Sequence, residues 1–481
     1  MIETLRVVIA TLLDVIAWPI LVYFLLINSS YLVLAIAAAV DFRGTRRRRR
    51  RHSGRVERLG SHTAPGVSVV VPAYNEEAGV VEAARSLLGL RYHRHEVIVV
   101  NDGSSDNTFR VLIEAFDLVR ADREVPYEIP TRQTPRGIYV PRDGYTRLTV
   151  IDKANSGRSD SINVGINASV EDLIICVDGD SLLDPDALLV VTEPFADDPL
   201  RTAATGGVVR VVNGCTIRSG QIIDVRMSRN VLAQIQALEY LRSFFLGRSG
   251  WSKLRALILI SGAFGCFRRD LLVEVGGLDP DSIGEDFELV MRIHRLLRER
   301  DQEYSVTFVP EPVCWTEVPE TLPVLRKQRA RWHRGLWETL VKHRVMFGNP
   351  RYGRAGVLAV PYYWAFELFA PLIEAVGLVL MVLGFALDLV NPTTFWLFLA
   401  VAYGYAIVVA LAAAAVDEVY FSRYYRFGSL LSLISSAVLE NIGYRQLHVV
   451  WRLRGWWQAL RGTEQNWGVM TRRGFTTENV S

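Results

Sequence analysis

Three long apolar runs constrain this chain more than anything else in it. They are Val15–Val40, Val357–Val390 (broken by Pro361 and Pro371) and Phe395–Val416. About 20 apolar residues suffice for a helix to cross a bilayer, and a soluble core has no room for three such segments. The residues between them, 55 to about 355, have ordinary soluble composition. Half of the chain is hydrophobic yet 22% is charged, which fits a soluble domain joined to membrane helices.

Charge placement orients these helices. The first run is followed by Arg43–His52, "RGTRRRRRRH". Positive residues stay on the cytoplasmic side, so this end faces the cytosol. A removable signal peptide would be shorter and carry its charge in front. Six arginines could also form a solvated or nucleic-acid-binding tail. Their place beside a span favours topology and contact with anionic membrane lipids, and no groove-reading module accompanies them, so no nucleic-acid partner is expected. Leu5–Asp14 reads as an interfacial helix or as part of a second span. The uncharged turn Asn391–Thr394 falls outside the cell. Leu430–Leu439 is short and leads into a tail rich in arginine. We expect a re-entrant or interfacial helix there, with a cytoplasmic tail; a full span would put the tail outside. Cys176, Cys215, Cys266 and Cys314 lack metal-site spacing and read as free thiols in a reducing compartment.

The soluble part alternates strand and helix signals. "VSVVVPAYNEE" (Val67–Glu77), "HEVIVVNDGSSDNT" (His95–Thr108) and "LIICVDGDS" (Leu173–Ser181) each run from a buried-type strand into a polar loop. Such alternation indicates a Rossmann-like α/β domain with a mostly parallel sheet, which binds ligands beyond the carboxyl ends of its strands. Asp102, Asp178 and Asp180 lie at such ends. Asp-Gly alone is a common turn. Two carboxylates one residue apart at that edge also suit a divalent cation, Mg or Mn, carrying a diphosphate. Glu285 and Asp286 open a helix, where its dipole stabilises carboxylates, so helix capping is one reading of them.

The motifs "VVVPAYNEE", "NDGSSDNT", "KANSGRSDSINVG", "VDGDS", "SGAFGCFRRD", "GEDFELVMRIH" and "QRARWHRGL" occur in the order seen in family-2 glycosyltransferases. The chain resembles in particular the membrane-embedded synthases of cellulose, chitin, hyaluronan and poly-N-acetylglucosamine, over residues 65 to 345. The resemblance implies a GT-A fold and inverting, metal-dependent transfer from a UDP-sugar donor to a saccharide or lipid-linked acceptor. It assigns the nucleotide to Pro72, Tyr74, Glu76, Asp102, Lys153, Arg158, Asp160, Asp178 and Arg331. Metal falls to Asp178 and Asp180, and the general base to Asp286, with Glu285 orienting the loop. Acceptor contacts fall to Gly262, Ala263, Phe264, Gln328 and Trp332. Gating of the site falls to Trp467, Arg472 and Arg473 in "NWGVMTRRGF", loosely similar to the Trp-Gly-Thr-Arg loop of hyaluronan and chitin synthases.

Some features depart from that pattern. Ser156-Gly157-Arg158 stands where Gly-Gly-Lys is usual, although arginine also clamps phosphate. No FxVTxK loop is present and no cyclic-dinucleotide domain follows the membrane region, which argues against a regulated cellulose synthase. The segment from 123 to 145 is extra, and a surface loop is expected. We divide the chain into 1–44 (span), 45–64 (basic linker), 65–322 (transferase domain), 323–355 (interfacial helices with QxxRW), 356–417 (spans), 418–455 (interfacial, re-entrant or spanning helix) and 456–481 (cytoplasmic tail). The function expected is a multi-pass cell-membrane synthase with its catalytic domain in the cytosol, extending a β-linked polysaccharide, N-acetylglucosamine being one candidate sugar. The alternatives are a non-processive transferase acting on a lipid or lipid-linked acceptor, and a silent scaffold, against which the intact motifs count. With so few spans, an oligomer or partner subunits are compatible with either enzyme.

Overall fold

The computed structural model describes residues 2–51, 64–218, 220–421 and 427–462. Its first element is one continuous helix, Ile2–Arg51, running through Pro19. Leu5–Asp14 is therefore the start of that helix and not a separate interfacial piece. Three helical stretches among the described residues are long and apolar enough to cross a membrane: Arg6–Val40, Ala355–Ala386 and Pro392–Val416. Side-chain fit holds them together. A Cβ on Gly377 would lie 2.9 Å from Ile20 of the first helix, so only glycine admits that approach. Asn28 donates to the Val401 carbonyl at 3.0 Å.

The run Leu430–Leu439 is not among the three candidate spans of the described residues. Its helix, Phe427–Leu439, holds 13 residues, well short of a bilayer. The chain then breaks at Ile442 and Gly443, the latter with φ +84°, before a last helix, Arg445–Arg461. That helix lies against the Leu322–Lys342 helix, where a Cβ on Gly455 would meet the Ala330 carbonyl.

The strands are β1 (Val67–Ala73), β2 (His95–Asp102), β3 (Leu118–Ala121), β4 (Pro135–Pro141), β5 (Leu148–Lys153), β6 (Leu173–Val177), β7 (Ser181–Leu183), β8 (Thr202–Val211), β9 (Thr216–Arg218), β10 (Gln221–Asp224), β11 (Phe264–Arg268) and β12 (Ser305–Thr316). Ten form one sheet in the order β3-β4-β5-β2-β1-β6-β11-β8-β12-β7; β9 and β10 form a separate ribbon. The centre, β5-β2-β1-β6, is parallel. Antiparallel pairs flank it on both sides, β3–β4–β5 and β6–β11–β8, with a parallel β8–β12 pair beyond. The domain is Rossmann-like, with parallel order concentrated where the site lies.

Both faces of the central strands are covered. Val69 and Val71 of β1 join one apolar cluster and Val70 joins the other, which is why these strands read as unbroken apolar runs. The first membrane helix contributes Leu34, Ala38 and Phe42 to the second of these clusters, and Phe42 stacks on Phe245 at 4.6 Å. The membrane region and the α/β domain thus share a core.

The extra segment is not a plain surface loop. Pro135–Pro141 is strand β4. Upstream of it Ile129 is fully buried, its backbone N–H and carbonyl both bonded to the Asn167 side chain at 2.8 Å. A buried backbone must find partners, and here one amide side chain on the Arg158–Ala168 helix supplies both.

Candidate functional site

The carboxyl ends of β1, β2, β5 and β6 bring the motifs together. Asp102 and Lys153 are direct partners in the β2–β5 register. The Lys153 ammonium donates to Asp102 at 2.5 Å, and the backbone N–H groups of Ser156 and Gly157 donate to the same carboxylate at 2.9 Å each. Gly103, at φ +63°, brings its backbone so close that a Cβ would lie 2.5 Å from the Asn155 nitrogen. The loops after β1 and β2 are laced together: Glu76 N–H donates to Thr108 at 2.7 Å, Ser105 N–H to Asn75 at 2.8 Å and Asn107 N–H to Glu77 at 3.0 Å. The polar residues of "GSSDNT" thus join two loops as well as starting a helix. Pro72, Tyr74, Glu76 and Asp102 line the resulting cavity.

Two residues assigned to the nucleotide do not reach it. Lys153 and Asp160 have zero exposure. Asp160 accepts from Ser156 and from the Arg132 N–H, the latter at 2.6 Å, and its carboxylate lies 3.4 Å from Lys153. A buried charge needs its partners inside the fold, and these two charges, with Asp102, supply them to one another. They shape the loop from behind. Phe264 is likewise core, with zero exposure at the start of β11; the loop before it presents Gly262 and Ala263 to the cavity instead.

Arg158 occupies the centre. Its guanidinium donates to Asp178 at 2.7 Å, to Glu285 at 2.9 Å and to the Gly262 carbonyl at 2.6 Å. Each of the three nitrogens bonds protein, so the residue ties the Asp178 turn, the Glu285–Glu299 helix and the Gly262 loop into one unit, with two of its five N–H groups left over on the cavity wall. Burial raises the pKa of Glu285; Arg158 opposes that shift and Asp286 adds to it. Burial lowers the pKa of Arg331, against the pull of Glu285 and Asp178.

Asp286 sits in the first turn of the Glu285–Glu299 helix. It accepts from the Gly262 N–H at 2.7 Å and the Phe287 N–H at 2.8 Å. Next to it the QxxRW helix makes its closest approach: a Cβ on Gly335 would lie 3.0 Å from the Gly284 nitrogen. From that helix Gln328, Arg331 and Trp332 line the cavity; the Trp332 ring is 41% exposed, open to stacking, and Arg329 sits over it at 4.7 Å.

Asp178 and Asp180 flank Gly179 on the cavity wall. Among the described residues no three His, Cys, Asp or Glu side chains gather as a metal cage. Two carboxylates alone fit a Mg or Mn ion that completes its shell from diphosphate and water. Trp467, Arg472 and Arg473 lie outside the described residues.

The motifs do not reveal how far the cavity extends. It holds about 1250 Å³ and continues past Tyr240 and Arg242 to Glu367 and Glu374 in a membrane span and to Arg445 and Arg452 in the last helix. Ion pairs line this inner part: Arg242 with Glu440 at 2.6 Å, Arg329 with Glu239 at 2.5 Å, Arg445 with Glu374 at 2.6 Å. The signal was available as charges inside apolar segments, which mark function by default.

The profile of the family described as Glycosyl transferase family group 2 matches residues 173–411, and that of Glycosyl transferase family 2 matches residues 68–127. The chain carries a family-2 glycosyltransferase domain. The chain is 29% identical over 280 residues to the poly-beta-1,6-N-acetyl-D-glucosamine synthase of Staphylococcus epidermidis, covering 58% of this chain and 56% of that protein. It is 28% identical over 277 residues to the synthase of the same name from Staphylococcus aureus strain COL, with the same coverage. It therefore spans little more than half the length of these relatives. Among solved structures it is similar to the mannosyltransferase PcManGT from Pyrobaculum calidifontis, 17% identical with a TM-score of 0.47, over 88% of this chain and 99% of that one.

Proposed function

We propose that the protein transfers a sugar from a UDP-sugar donor to the end of a β-linked saccharide, with inversion, from the cytoplasmic side of the membrane. The observation that carries this reading is the single cavity joining Asp102, Asp178, Asp180 and Asp286 to the charged space between the membrane helices. The names of the relatives support N-acetylglucosamine as the sugar.

The chemistry follows from the residues. The Asp102 loop and Tyr74 hold the nucleotide at the strand ends. Asp178 and Asp180 would hold a divalent cation, which neutralises charge developing on the leaving diphosphate. Arg331, partly desolvated, adds positive charge on the same side. Asp286 takes the proton of the acceptor hydroxyl. That oxygen bonds to the anomeric carbon on the face opposite UDP while the carbon–oxygen bond to the diphosphate breaks, so the configuration inverts. Trp332 offers a ring face to the acceptor sugar, and the product end moves inward along the ion-paired wall.

Replacing Asp180→Asn tests this. We expect transfer to be lost and cation-dependent UDP binding to weaken, with the protein still inserted. Wild-type turnover by that variant, or by the parent protein in EDTA, contradicts the reading.

A further inference from the structure

Arg158, Arg242, Arg329, Arg445 and Arg452 each face a carboxylate across the cavity wall. Arg248 does not. It is 9% exposed, lines the cavity, and no carboxylate among the described residues lies within ion-pairing distance of it. Its Nη1 is buried with no hydrogen-bond partner. The Phe244 ring lies 3.7 Å from its guanidinium carbon, which covers one face of the cation and leaves the in-plane donors unspent. Burial depresses its pKa to about 10, with Asp286 and two tyrosines opposing through space. It therefore stays charged at neutral pH.

The backbone is shaped to put it there. Residues Leu241–Gly247, just before it, form a π-helical turn between two α-helical segments. Such turns shift the register of side chains and recur at functional sites. Tyr240, Trp251 and Tyr363 line the same cavity and are buried, giving it an aromatic wall. Aromatic faces suit sugar rings, and a buried guanidinium without an anion is unfavourable until one arrives.

We propose that Arg248 forms an anion subsite for the acceptor: the group transferred onto carries an oxyanion, bound beside Asp286 within this aromatic wall. The subsite rests on the acceptor-cavity reading above. The shared chemistry is a carboxylate or phosphate oxygen, which a uronate residue of a saccharide or the phosphate of a lipid carrier would each supply.

The test uses the purified full chain with UDP-N-acetylglucosamine and three acceptors of defined charge. These are an N-acetylglucosamine tetrasaccharide, a tetrasaccharide alternating glucuronate with N-acetylglucosamine, and a polyprenyl phosphate. Acceptor KM is measured for wild type, Arg248→Met and Arg248→Lys, with UDP affinity alongside. A charge-assisted bond to a buried partner corresponds to roughly 10- to 100-fold. We expect one charged acceptor to be preferred by about that factor, the preference to vanish in Arg248→Met, and Arg248→Lys to restore part of it. Which charged acceptor is preferred identifies the source. Equal use of neutral and charged acceptors by the wild type overturns the subsite while leaving the transferase reading intact. Loss of UDP affinity in both variants overturns it in favour of a structural role. No transfer to any acceptor overturns the parent reading and the subsite with it.

Discussion

Among single residues, Asp286 and Arg158 divide the work. Asp286 is held by two backbone N–H groups, and Arg158, on the same cavity wall, ties three segments together through three of its five N–H groups. Asp286→Asn keeps the size of the side chain and one of the two accepted bonds, and removes the base. We expect turnover to fall by about 10²- to 10⁴-fold with UDP affinity within a factor of about two, read by isothermal titration beside a UDP-release assay. A collapse of UDP affinity with turnover retained would make Asp286 a helix cap only. The sequence made the identities of these residues legible, because short motifs fix residue type and spacing. It did not show which side chains face the cavity. Lys153, Asp160 and Phe264 lie in motif segments yet are fully buried, since whether a loop residue points in or out depends on strand register and on partners such as Arg132, far off in sequence. Arg248 was equally hidden, because an unpaired cation is visible only once every possible partner has been placed.

Among elements, the position of the Glu285–Glu299 helix against the QxxRW helix sets, on the proposed mechanism, where donor and acceptor meet. The Gly284–Gly335 approach sets their distance at one end. At the other, Glu288, fully buried, bonds Lys342 at 2.7 Å and Arg292 at 2.6 Å. Burial pushes the Glu288 carboxyl up, but His343, Arg292 and Lys342 outweigh it and hold the pKa at about 2, against 4.5 ordinarily. Because folding lowers this pKa, the stabilisation is fully present above about pH 4.5 and fades as pH falls toward 2. Glu288→Gln should therefore lose on the order of 2 to 3 kcal/mol at pH 7. The gap to wild type should narrow steadily below pH 4.5, as measured by thermal unfolding in detergent. A gap independent of pH would show that packing, and not charge, is what the variant loses. The strands and helices of this region follow from apolar periodicity. Strand β4, paired between β3 and β5, and the strapping of Ile129 by Asn167 do not, because both depend on partners distant in sequence.

The molecule as a whole joins a Rossmann-like domain to a membrane region through a shared core and one cavity. Span positions were legible from hydropathy alone. The kink at Gly443 was not, since a ten-residue apolar run fits a re-entrant, interfacial or spanning helix equally well. The proposed orientation puts the basic segment after the first span in the cytosol and the Asn391–Thr394 turn outside. A Thr393→Cys probe in a Cys215→Ser background should then label from the extracytoplasmic face; labelling from the cytoplasmic face alone would invert the topology and remove UDP-sugar access. The most direct test of sugar transfer itself is mass spectrometry of the product released by the purified chain given UDP-N-acetylglucosamine and Mg or Mn. The expected result is a ladder of saccharides rising by one N-acetylhexosamine unit, present with wild type and absent with Asp286→Asn. An identical product profile from the two proteins, or UDP released with no saccharide extended, would contradict it.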